Sequence, residues 1–415
     1  MGIVTSESYC KSRACLMKKR IVIACCIVFH FYLELIMRIV RRKEKIRFGF
    51  ILQDLPQWKT EMLYKHMQTH PRFEPVICIT PHVYGTGSEK LLEEYCKAKG
   101  YGYVLLSPEK KLKRQVDIDM ATHQKPYQRE IHPAHRIDRN KSIPVVVIPY
   151  YLSTITEPWV VNQKANLLCW RQFVDNENCK RAWEKIHWLN GRNYAVTGTP
   201  FMDELFLPKE SFADVWRCKD SRKRIIYAPH HTIADWHWEG IGYSTFLDYC
   251  QFMLTMRDKY MEQAYFVFKP HPLLYGKLVE RWGKEKTDEY YSAWDQPGIS
   301  NVETGDYVSL FKHSDALIHD CGSFTVEYLY TDNPVMYLDR GEDHADNMIP
   351  YAKEAYELHY HAKTEEDIEG FVLNVINGED VLKEKRIEFR ERCLLPPNGR
   401  TACENIVNAI LGVKQ

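Results

Sequence analysis

The chain has 415 residues, which is too long for one ordinary hydrophobic core and suits two domains of about 150–200 residues each. Its formal net charge of +1 excludes the overall basic surface that is typical of nucleic-acid-binding proteins. The 13 cysteines are scattered and no two have the Cys-x-x-Cys spacing, which argues against a disulfide framework and a structural zinc site. Reduced thiols in a cytosolic compartment are therefore expected.

The amino-terminal segment is basic although the whole chain is nearly neutral. An apolar run at residues 21–37 has Lys and Arg on both sides, and it contains His30 and Glu34. The run is slightly short for a spanning helix of about 20 apolar residues. We predict that residues 17–44 form a membrane-associating helix that lies peripherally on the cytoplasmic face of the cell membrane. The alternative is a single spanning anchor. Residues 1–16 are expected to be a disordered lead.

Short apolar runs alternate with helix-length polar stretches from Lys45 onwards. This alternation predicts a parallel sheet covered on both faces, and we assign residues 45–205 to a first Rossmann-like domain. The predicted strands of this domain are residues 47–52, 73–80, 103–106, 144–148, 166–169 and 194–196.

Gly and Pro punctuate residues 198–208, where we place the domain boundary. A second strand series then begins, so residues 206–415 are predicted to form a second Rossmann-like domain. Its predicted strands are residues 224–229, 264–270, 299–303, 315–320 and 334–339. The tail is predicted to be helical at residues 365–376, 381–394 and 401–411. Two doubly wound α/β domains would place a ligand crevice between the carboxyl ends of their strands.

One strand of the second domain ends in an Asp-Cys-Gly-Ser turn at residues 320–323, and a helix is predicted directly after it. Gly322 permits a close backbone approach, and Ser323 is a suitable N-cap for that helix. The free N–H groups of a helix start bind anions such as a diphosphate. Glu327 lies one turn further on the same face, where a carboxylate could accept two ribose hydroxyls. The alternatives are an ordinary capped turn and a solvated glutamate.

A second strand ends in Lys-Pro-His-Pro at residues 269–272. The two prolines restrain the backbone around His271, which is therefore presented on a rigid loop. Its imidazole could donate a hydrogen bond to a phosphate or act as a general acid towards a leaving group. A purely structural histidine is the alternative.

A third strand ends at Pro229 and is followed by His230 and His231, which could line the same crevice. Nearby acidic and histidine side chains raise the possibility of a metal site, but adjacent histidines rarely share one ion and the spacing matches no known ligand pattern. We therefore predict no metal. The additional residues considered were Asp235, His237 and Glu239.

In this order, the three elements resemble the CDP-glycerol glycerophosphotransferases of teichoic-acid and capsular-polysaccharide synthesis. In that family a strand ending in Lys-x-His-Pro precedes a strand ending in Asp-Tyr-Ser-Ser, as residues 269–272 and 320–323 do here. Residues 334–337 match the strand that closes the motif, and residues 197–200 with Asp203 resemble a Thr-Gly-x-Pro-x-x-Asp motif at the interdomain junction. The resemblance implies a GT-B fold, a position on the inner membrane, and His271 as one of two functional histidines.

The chain departs from this family in its amino-terminal domain. The family's other histidine lies in a Trp-His-Gly-Thr-Pro motif, whereas residues 145–151 of this chain contain no histidine. His123, His132 and Tyr150 are candidate replacements. A capsule or surface-polysaccharide step with a CDP- or UDP-activated group is therefore expected in preference to polyglycerol phosphate synthesis.

The leading hypothesis is transfer of a glycerophosphate, alditol phosphate or glycosyl group from a nucleotide-diphosphate donor to a lipid-linked or glycan acceptor. The first domain would hold the acceptor and the second the donor, without a cofactor. The alternatives are a UDP-N-acetylglucosamine 2-epimerase and a non-catalytic GT-B scaffold that binds nucleotide. The predicted catalytic residues are His271, Lys269 and His230. The predicted substrate-binding residues are Asp320, Cys321, Gly322, Ser323, Phe324, Thr325, Glu327, His231, Pro229 and Tyr150.

Overall fold

The computed structural model describes residues 13–82, 88–123, 131–155, 158–233, 244–305, 307–340 and 344–413. The chain folds into two compact units. Unit 1 comprises Met1–Glu204 and Leu395–Gln415, and unit 2 comprises Leu205–Leu394. Each unit is built on a parallel sheet, as the alternation of strands and helices predicted.

Unit 1 contains a seven-stranded sheet in the order β3-β2-β1-β4-β5-β6-β7, in which all neighbouring strands are parallel. Because β1 is followed by β2 on one side and paired with β4 on the other, the order of the strands reverses between β1 and β4. This point is the topological switch point of unit 1. The strands are β1 (Ile46–Leu52), β2 (Phe73–Ile79), β3 (Tyr103–Leu105), β4 (Met120–His123), β5 (Val145–Val147), β6 (Arg171–Val174) and β7 (Tyr194–Val196).

One predicted strand of unit 1 is wrong. Residues 166–169 do not form a strand, because they lie at the end of helix α5 (Lys164–Leu168), and the true strand β6 follows it. A four-residue apolar run has no period that separates a buried helical turn from a buried strand. The helices of unit 1 are α1 (Arg13–Val40), α2 (Glu61–Thr69), α3 (Ser88–Lys99), α4 (Pro158–Val161), α5, α6 (Glu177–Glu184) and α7 (Pro200–Phe206), which leads into unit 2.

Unit 2 contains a six-stranded parallel sheet in the order β10-β9-β8-β11-β12-β13, with its switch point between β8 and β11. All five strands that the sequence predicted for this region are confirmed. Strand β13 was not predicted. The strands are β8 (Lys223–Ala228), β9 (Ala264–Phe268), β10 (Ser300–Val302), β11 (Ala316–His319), β12 (Val335–Leu338) and β13 (Tyr360–Ala362).

Helices flank the unit 2 sheet, and their apolar faces form a core with the strands, in which Phe246, Phe268 and Trp294 are fully buried. The helices are α8 (Phe246–Lys259), α9 (Leu274–Trp282), α10 (Lys284–Trp294), α11 (Val308–Lys312), α12 (Phe324–Glu327), α13 (Pro350–Glu357), α14 (Glu365–Asn377) and α15 (Lys383–Phe389).

The last helix, α16 (Ala402–Leu411), belongs to unit 1, so the assignment of residues 206–415 to one domain is wrong at its end. Asp203 accepts hydrogen bonds from the backbone N–H groups of Ala402 (2.6 Å) and Cys403 (2.8 Å). Gly198 has φ +74°, and a Cβ atom there would lie 3.0 Å from Ala402 Cβ. The Thr-Gly-x-Pro-x-x-Asp motif thus anchors the start of α16 within unit 1, which the sequence of an amphipathic helix cannot reveal.

Helix α1 packs on unit 1 along one face and exposes the other. Leu33, Met37 and Val40 are buried in the same core cluster as Ile406 and Ile410 of α16. Among the described residues, one helical stretch, Met17–Val40, is long and apolar enough to cross a membrane.

Candidate functional site

The carboxyl ends of β9, β8 and β11 are neighbours in the unit 2 sheet, and the three predicted motifs follow these strands directly. Parallel strands end at the same edge of a sheet, so the motifs converge. The backbone N–H of His271 donates to the carbonyl of Pro229 (3.1 Å), and the backbone N–H of His230 donates to Oδ1 of Asp320 (2.5 Å). The structure therefore brings the three predicted loops together at one edge of the sheet.

Asp320 is enclosed by protein. Its Oδ2 accepts hydrogen bonds from the backbone N–H (2.6 Å) and the hydroxyl (3.0 Å) of Thr245, in addition to the bond from His230 at Oδ1. Burial raises the pKa of this carboxyl to about 6, against the opposing effect of these hydrogen bonds. The side chain has no exposed surface for a ligand, so the predicted substrate contact of Asp320 is not supported. It instead fixes the positions of the loops that carry His230 and Thr245.

Three imidazoles form a cluster at this edge of the sheet. The ring centroids of His230 and His231 are 4.3 Å apart, those of His231 and His271 are 4.2 Å apart, and those of His230 and His271 are 5.0 Å apart. Pro229 is buried and leads into the cluster. The structure thus brings His230, His231 and His271 together, and their contact with a ligand stays a prediction.

Hydrogen bonds define which ring nitrogens carry protons. Lys277 Nζ lies 2.9 Å from His231 Nδ1, and the backbone N–H of Leu273 donates to His271 Nδ1 (3.1 Å). An ammonium and an amide can only donate, so both Nδ1 atoms act as acceptors. In the neutral rings the proton is then on Nε2, which becomes a hydrogen-bond donor.

All three imidazoles are neutral near pH 7. Burial, followed by the electrostatic effects of His231, Lys269 and Lys277, lowers the pKa of His271 to about 3. Burial and then Lys277 lower the pKa of His231 to about 4, and burial holds the pKa of His230 well below its usual value. The site therefore offers neutral N–H donors next to lysine ammonium groups, which is an arrangement that suits an anion.

The same cluster has the dimensions of a metal site. One nitrogen from each of His230, His231 and His271 lies within 4.8 Å of the others, so the argument that adjacent histidines cannot share an ion does not hold here. The neighbouring ammonium of Lys277 and the charge of Lys269 would repel a divalent cation. Asp235, His237 and Glu239 lie outside the described residues.

The turn at residues 320–323 differs from its predicted form. Ser323 itself has helical backbone angles (φ −69°, ψ −37°), so its side chain makes no capping hydrogen bond. Its Oγ lies 3.5 Å from Sγ of Cys321, whose backbone N–H donates to His319 Nδ1 (3.1 Å). The helix α12 is only one turn long and continues as a 3-10 turn at Tyr328–Thr331. The predicted N-cap function of Ser323 is therefore wrong.

The residues at the end of this turn and at the start of α12 divide into a half-buried pair and a buried pair. Ser323 and Phe324 are half-buried, whereas Gly322 and Thr325 are buried, and Thr325 Oγ1 donates to the carbonyl of Cys321 (3.4 Å). A substrate contact by the Thr325 side chain is therefore not supported. The half-buried groups remain predicted ligand contacts.

Glu327 is buried, so the alternative of a solvated helix glutamate is wrong. Tyr307 donates its hydroxyl to Oε2 of Glu327 (2.6 Å), and the ring of Tyr307 lies 5.1 Å from that of Phe324. This bond holds the carboxylate in one orientation. The contact of Glu327 with a ribose stays a prediction.

The candidates in the amino-terminal domain lie in unit 1. Tyr150 is half-buried after β5 and its ring packs edge-on against Tyr151 at 4.9 Å. His132 caps a short 3-10 turn by accepting the backbone N–H of Ala134. His123 is the last residue of β4, at the switch point of unit 1.

Sequence reasoning missed Lys277, Thr245 and Tyr307. Lys277 follows His271 within the first turns of α9, and this helical spacing was the one signal that could have identified it. The other two side chains reach the site only through tertiary folding, because Thr245 and Tyr307 are separated in sequence from Asp320 and Glu327 and belong to no recognisable motif.

A family model for CDP-glycerol:poly(glycerophosphate) glycerophosphotransferases matches residues 161–412. A search of curated proteins finds no match. Among solved structures, a variant of the wall teichoic acid polymerase TagF has a TM-score of 0.55 at 13% identity, covering 96% of this chain and 97% of its own.

Two further solved structures are similar to the same extent. The S. aureus MnaA–UDP structure has a TM-score of 0.55 at 16% identity and covers 89% of this chain and 98% of its own. UDP-GlcNAc 2-epimerase from Neisseria meningitidis, bound to UDP-GlcNAc, has a TM-score of 0.54 at 15% identity, with coverages of 88% and 100%. These likenesses establish the fold, and the predicted α/β fold of the GT-B type is confirmed.

Proposed function

Because the chain belongs to the CDP-glycerol:poly(glycerophosphate) glycerophosphotransferase family, we propose that it transfers glycerol phosphate, or a related alditol phosphate, from a CDP-activated donor. The acceptor is a lipid-linked or glycan hydroxyl in cell-surface polysaccharide synthesis. One observation carries this proposal: the His271 motif of the family lies in a cluster of neutral imidazoles and lysines at the carboxyl edge of the unit 2 sheet. The solved structures of TagF include one soaked with CDPG, which supports the same class of donor.

In the proposed reaction, the pyrophosphate of the donor lies against the Nε2–H groups of His271 and His231. The acceptor hydroxyl gives its proton to solvent water as its oxygen forms a bond to the phosphorus of the transferred group, and the bond from that phosphorus to the bridging oxygen breaks. The leaving nucleotide monophosphate takes the electron pair. Preorganised donors at the bridging oxygen stabilise this charge as it develops, and the ammonium groups of Lys269 and Lys277 add to the effect.

The low pKa of His271 determines its function before the donor binds. With a pKa of about 3 the ring is neutral near pH 7, so its Nε2–H enters the reaction as a hydrogen-bond donor and not as an acid. The negative charge of a bound pyrophosphate raises that pKa, because an opposite charge within a few ångströms favours the imidazolium form. General acid catalysis thus requires the bound donor.

Substitution of His271 tests the proposal. We expect His271→Ala to lower turnover by about 10²–10³-fold, which is the usual effect of removing one preorganised donor, and to leave the fold intact. His313→Gln is a matched control, because His313 precedes β11 at the opposite edge of the same sheet and bonds to the carbonyl of Phe212 (3.0 Å). If His271→Ala transferred the group from CDP-glycerol at the wild-type rate, the proposed mechanism would be wrong.

A UDP-N-acetylglucosamine 2-epimerase is the second candidate, and the similarity to UDP-GlcNAc 2-epimerase from Neisseria meningitidis favours it. This activity needs no acceptor. Incubation of the protein with UDP-N-acetylglucosamine alone, followed by chromatography of the sugar nucleotides, separates the two functions. Formation of the epimer would favour the epimerase over the transferase. Binding of nucleotides without any turnover would indicate a non-catalytic scaffold.

We further propose that α1 lies in the plane of the cytoplasmic membrane surface and does not span it. Its residues at 26, 33, 37 and 40 are buried against unit 1, whereas the opposite face exposes a stripe of large apolar side chains. Glu34 accepts hydrogen bonds from Trp170 Nε1 (3.0 Å) and Arg171 Nη2 (2.6 Å), which ties the middle of the helix to the sheet. The exposed apolar residues include Ile21, Val28, Phe31, Leu35 and Ile39.

A helix held along its length by a folded unit binds a bilayer with its free face, and exposed cations at both ends of α1 favour anionic lipid. We expect the protein to bind phosphatidylglycerol vesicles, to be released by alkaline carbonate, and to lose binding in Phe31→Ser/Leu35→Ser. Asp258→Asn, on an exposed side chain of α8, is the control. Retention in the membrane after carbonate treatment would show a spanning helix.

A further inference from the structure

A cavity of about 400 Å³ in unit 2 takes no part in the reaction proposed above, and we call it the side cavity. Its walls come from the start of α8 and from the residues that follow β12 and β13. These strands end at the same edge of the parallel sheet as β11, and ligands of open α/β sheets bind outside that edge. The lining residues are Thr245, Asp248, Tyr249, Asp339, Arg340 and Lys363.

One carboxylate connects the side cavity with the histidine cluster. Asp320 accepts the backbone N–H of His230 at Oδ1 (2.5 Å) and the hydroxyl of Thr245 at Oδ2 (3.0 Å), and Thr245 lines the cavity. Neighbouring strands lie about 5 Å apart, so β12 is about 5 Å and β13 about 10 Å from β11. A group attached to a phosphate at the histidine cluster therefore reaches the side cavity.

Most polar side chains of the side cavity are not used within the protein. Asp339 is the exception, because it accepts hydrogen bonds from the hydroxyl of Tyr356 and from His361 Nδ1 (2.9 Å), which fixes the loops after β12 and β13. Four other lining side chains make no hydrogen bond and no ion pair with the described part of the chain, and all four are half-buried or exposed. They are Asp248, Tyr249, Arg340 and Lys363.

The lining has the composition of a site for a neutral polyol. Arg340 and Lys363 are balanced by the carboxylates of Asp248 and Asp339, so the lining has no net charge that would favour a phosphate. A hydroxyl group both donates and accepts, so it bonds to a carboxylate, an ammonium or a guanidinium. Burial, followed by the charge of Asp248, raises the pKa of the Tyr249 hydroxyl, which therefore stays protonated and also donates.

We propose that the side cavity binds the hydroxyl groups of the alditol that the donor carries beyond its pyrophosphate. This assignment rests on the proposed transferase function. Liquid water occupies about 30 Å³ per molecule, so the cavity has space for roughly 13 heavy atoms. Glycerol has six heavy atoms and a five-carbon alditol has ten, so the longer chain fills the cavity better. Arg340 then binds hydroxyls near the phosphate and Lys363 those at the far end, because β13 lies further from β11.

Two donors of different length test the assignment. CDP-glycerol and CDP-ribitol share the nucleotide and the pyrophosphate and differ only in the alditol. We expect the wild-type protein to have the higher kcat/KM with CDP-ribitol. Arg340→Met should lower kcat/KM at least tenfold with both donors, whereas Lys363→Met should do so with CDP-ribitol only. The Kd for CDP, which has no alditol, should stay unchanged in both variants.

Asp248→Ala and Asp258→Ala form a matched pair in helix α8. Asp248 lines the side cavity at the start of the helix, whereas Asp258 lies near its other end and pairs with Arg257 (2.6 Å). We expect Asp248→Ala to lower kcat/KM with CDP-ribitol about tenfold and Asp258→Ala to leave it unchanged. The melting temperature of each variant shows that it is folded.

Three results would overturn the assignment: a wild-type preference for CDP-glycerol, equal effects of Lys363→Met on the two donors, or a Kd for CDP that weakens in parallel with kcat/KM. Failure of the transferase function itself is recognised separately. In that case the wild-type protein binds and turns over neither donor, and both proposals are wrong.

Discussion

The switch points of the two units are built in opposite ways. In unit 2, Asp320 stands beyond the end of β11, and its carboxylate is fully engaged by His230 and Thr245. In unit 1, His123 ends β4 and neither ring nitrogen has a partner. A saturated carboxylate fixes the surrounding loops through its hydrogen bonds, whereas an unsatisfied imidazole adds no hydrogen bond to its surroundings. The comparison separates a switch point that is held by hydrogen bonds from one in which the buried side chain is held by packing alone.

Asp320→Ala should have the largest effect, because it breaks the saturated switch point. The substitution leaves three donors of His230 and Thr245 buried without an acceptor, and we expect a loss of about 3 kcal/mol in the free energy of unfolding. Urea denaturation measures it. Asp288→Ala, an exposed helix position beside Lys284, is the control and should unfold like the wild type. Equal free energies of unfolding for the two variants would show that the hydrogen bonds of Asp320 do not stabilise the fold.

Lys277→Met should weaken donor binding about tenfold, because it removes an ammonium whose hydrogen bond orients His231 as an Nε2–H donor. Titration calorimetry with CDP-glycerol measures the Kd. Lys277→Arg keeps the charge and a donor, so it should retain most of the affinity. Lys259→Met, on the exposed end of α8, should bind like the wild type. An unchanged Kd in Lys277→Met would exclude this lysine from the site.

The pH dependence of stability tests the difference between the two switch points at His123 in unit 1. Burial lowers the pKa of His123 to about 3, so the folded protein keeps this ring neutral while the unfolded chain protonates it below about pH 6.5. The stability that this group contributes is present above pH 6.5 and is lost as the pH falls towards 3. Because His123→Leu has no imidazole at this position, it does not lose this stability as the pH falls.

Urea denaturation at pH 6, 5 and 4 tests this sign. Relative to the wild type, His123→Leu should gain about 1.4 kcal/mol of unfolding free energy for each pH unit of acidification. A difference that does not change with pH would mean that His123 is protonated in the folded protein, and so is not an unsatisfied neutral ring.

Chelation should have the smallest effect. The ammonium of Lys277 next to the three imidazoles favours an anion over a divalent cation, so we expect dialysis against EDTA to leave turnover and the donor Kd unchanged. Analysis of the dialysed protein by mass spectrometry confirms that metals were removed. Activity that is lost on dialysis and restored by zinc would assign His230, His231 and His271 as metal ligands.

The sequence predicted those parts of the molecule whose position in the fold follows directly from a local sequence pattern. Buried strands that end in Pro-His-His or Lys-Pro-His-Pro identify both the strand and its functional edge, and the sheet then brings these ends together. It could not predict the contact of α16 with unit 1, because the apolar face of a helix does not specify its partner. Lys277 was missed although its spacing from His271 was a usable signal, and Tyr307 was missed because it reaches Glu327 only through tertiary folding.

A crystal structure of the full chain with CDP-glycerol tests the central claim most directly. We predict a pyrophosphate oxygen of the donor within about 3.2 Å of His271 Nε2, with the ammonium of Lys277 nearby and no metal ion among the three imidazoles. A donor bound elsewhere, with this cluster either unoccupied or holding a metal ion, would contradict the account.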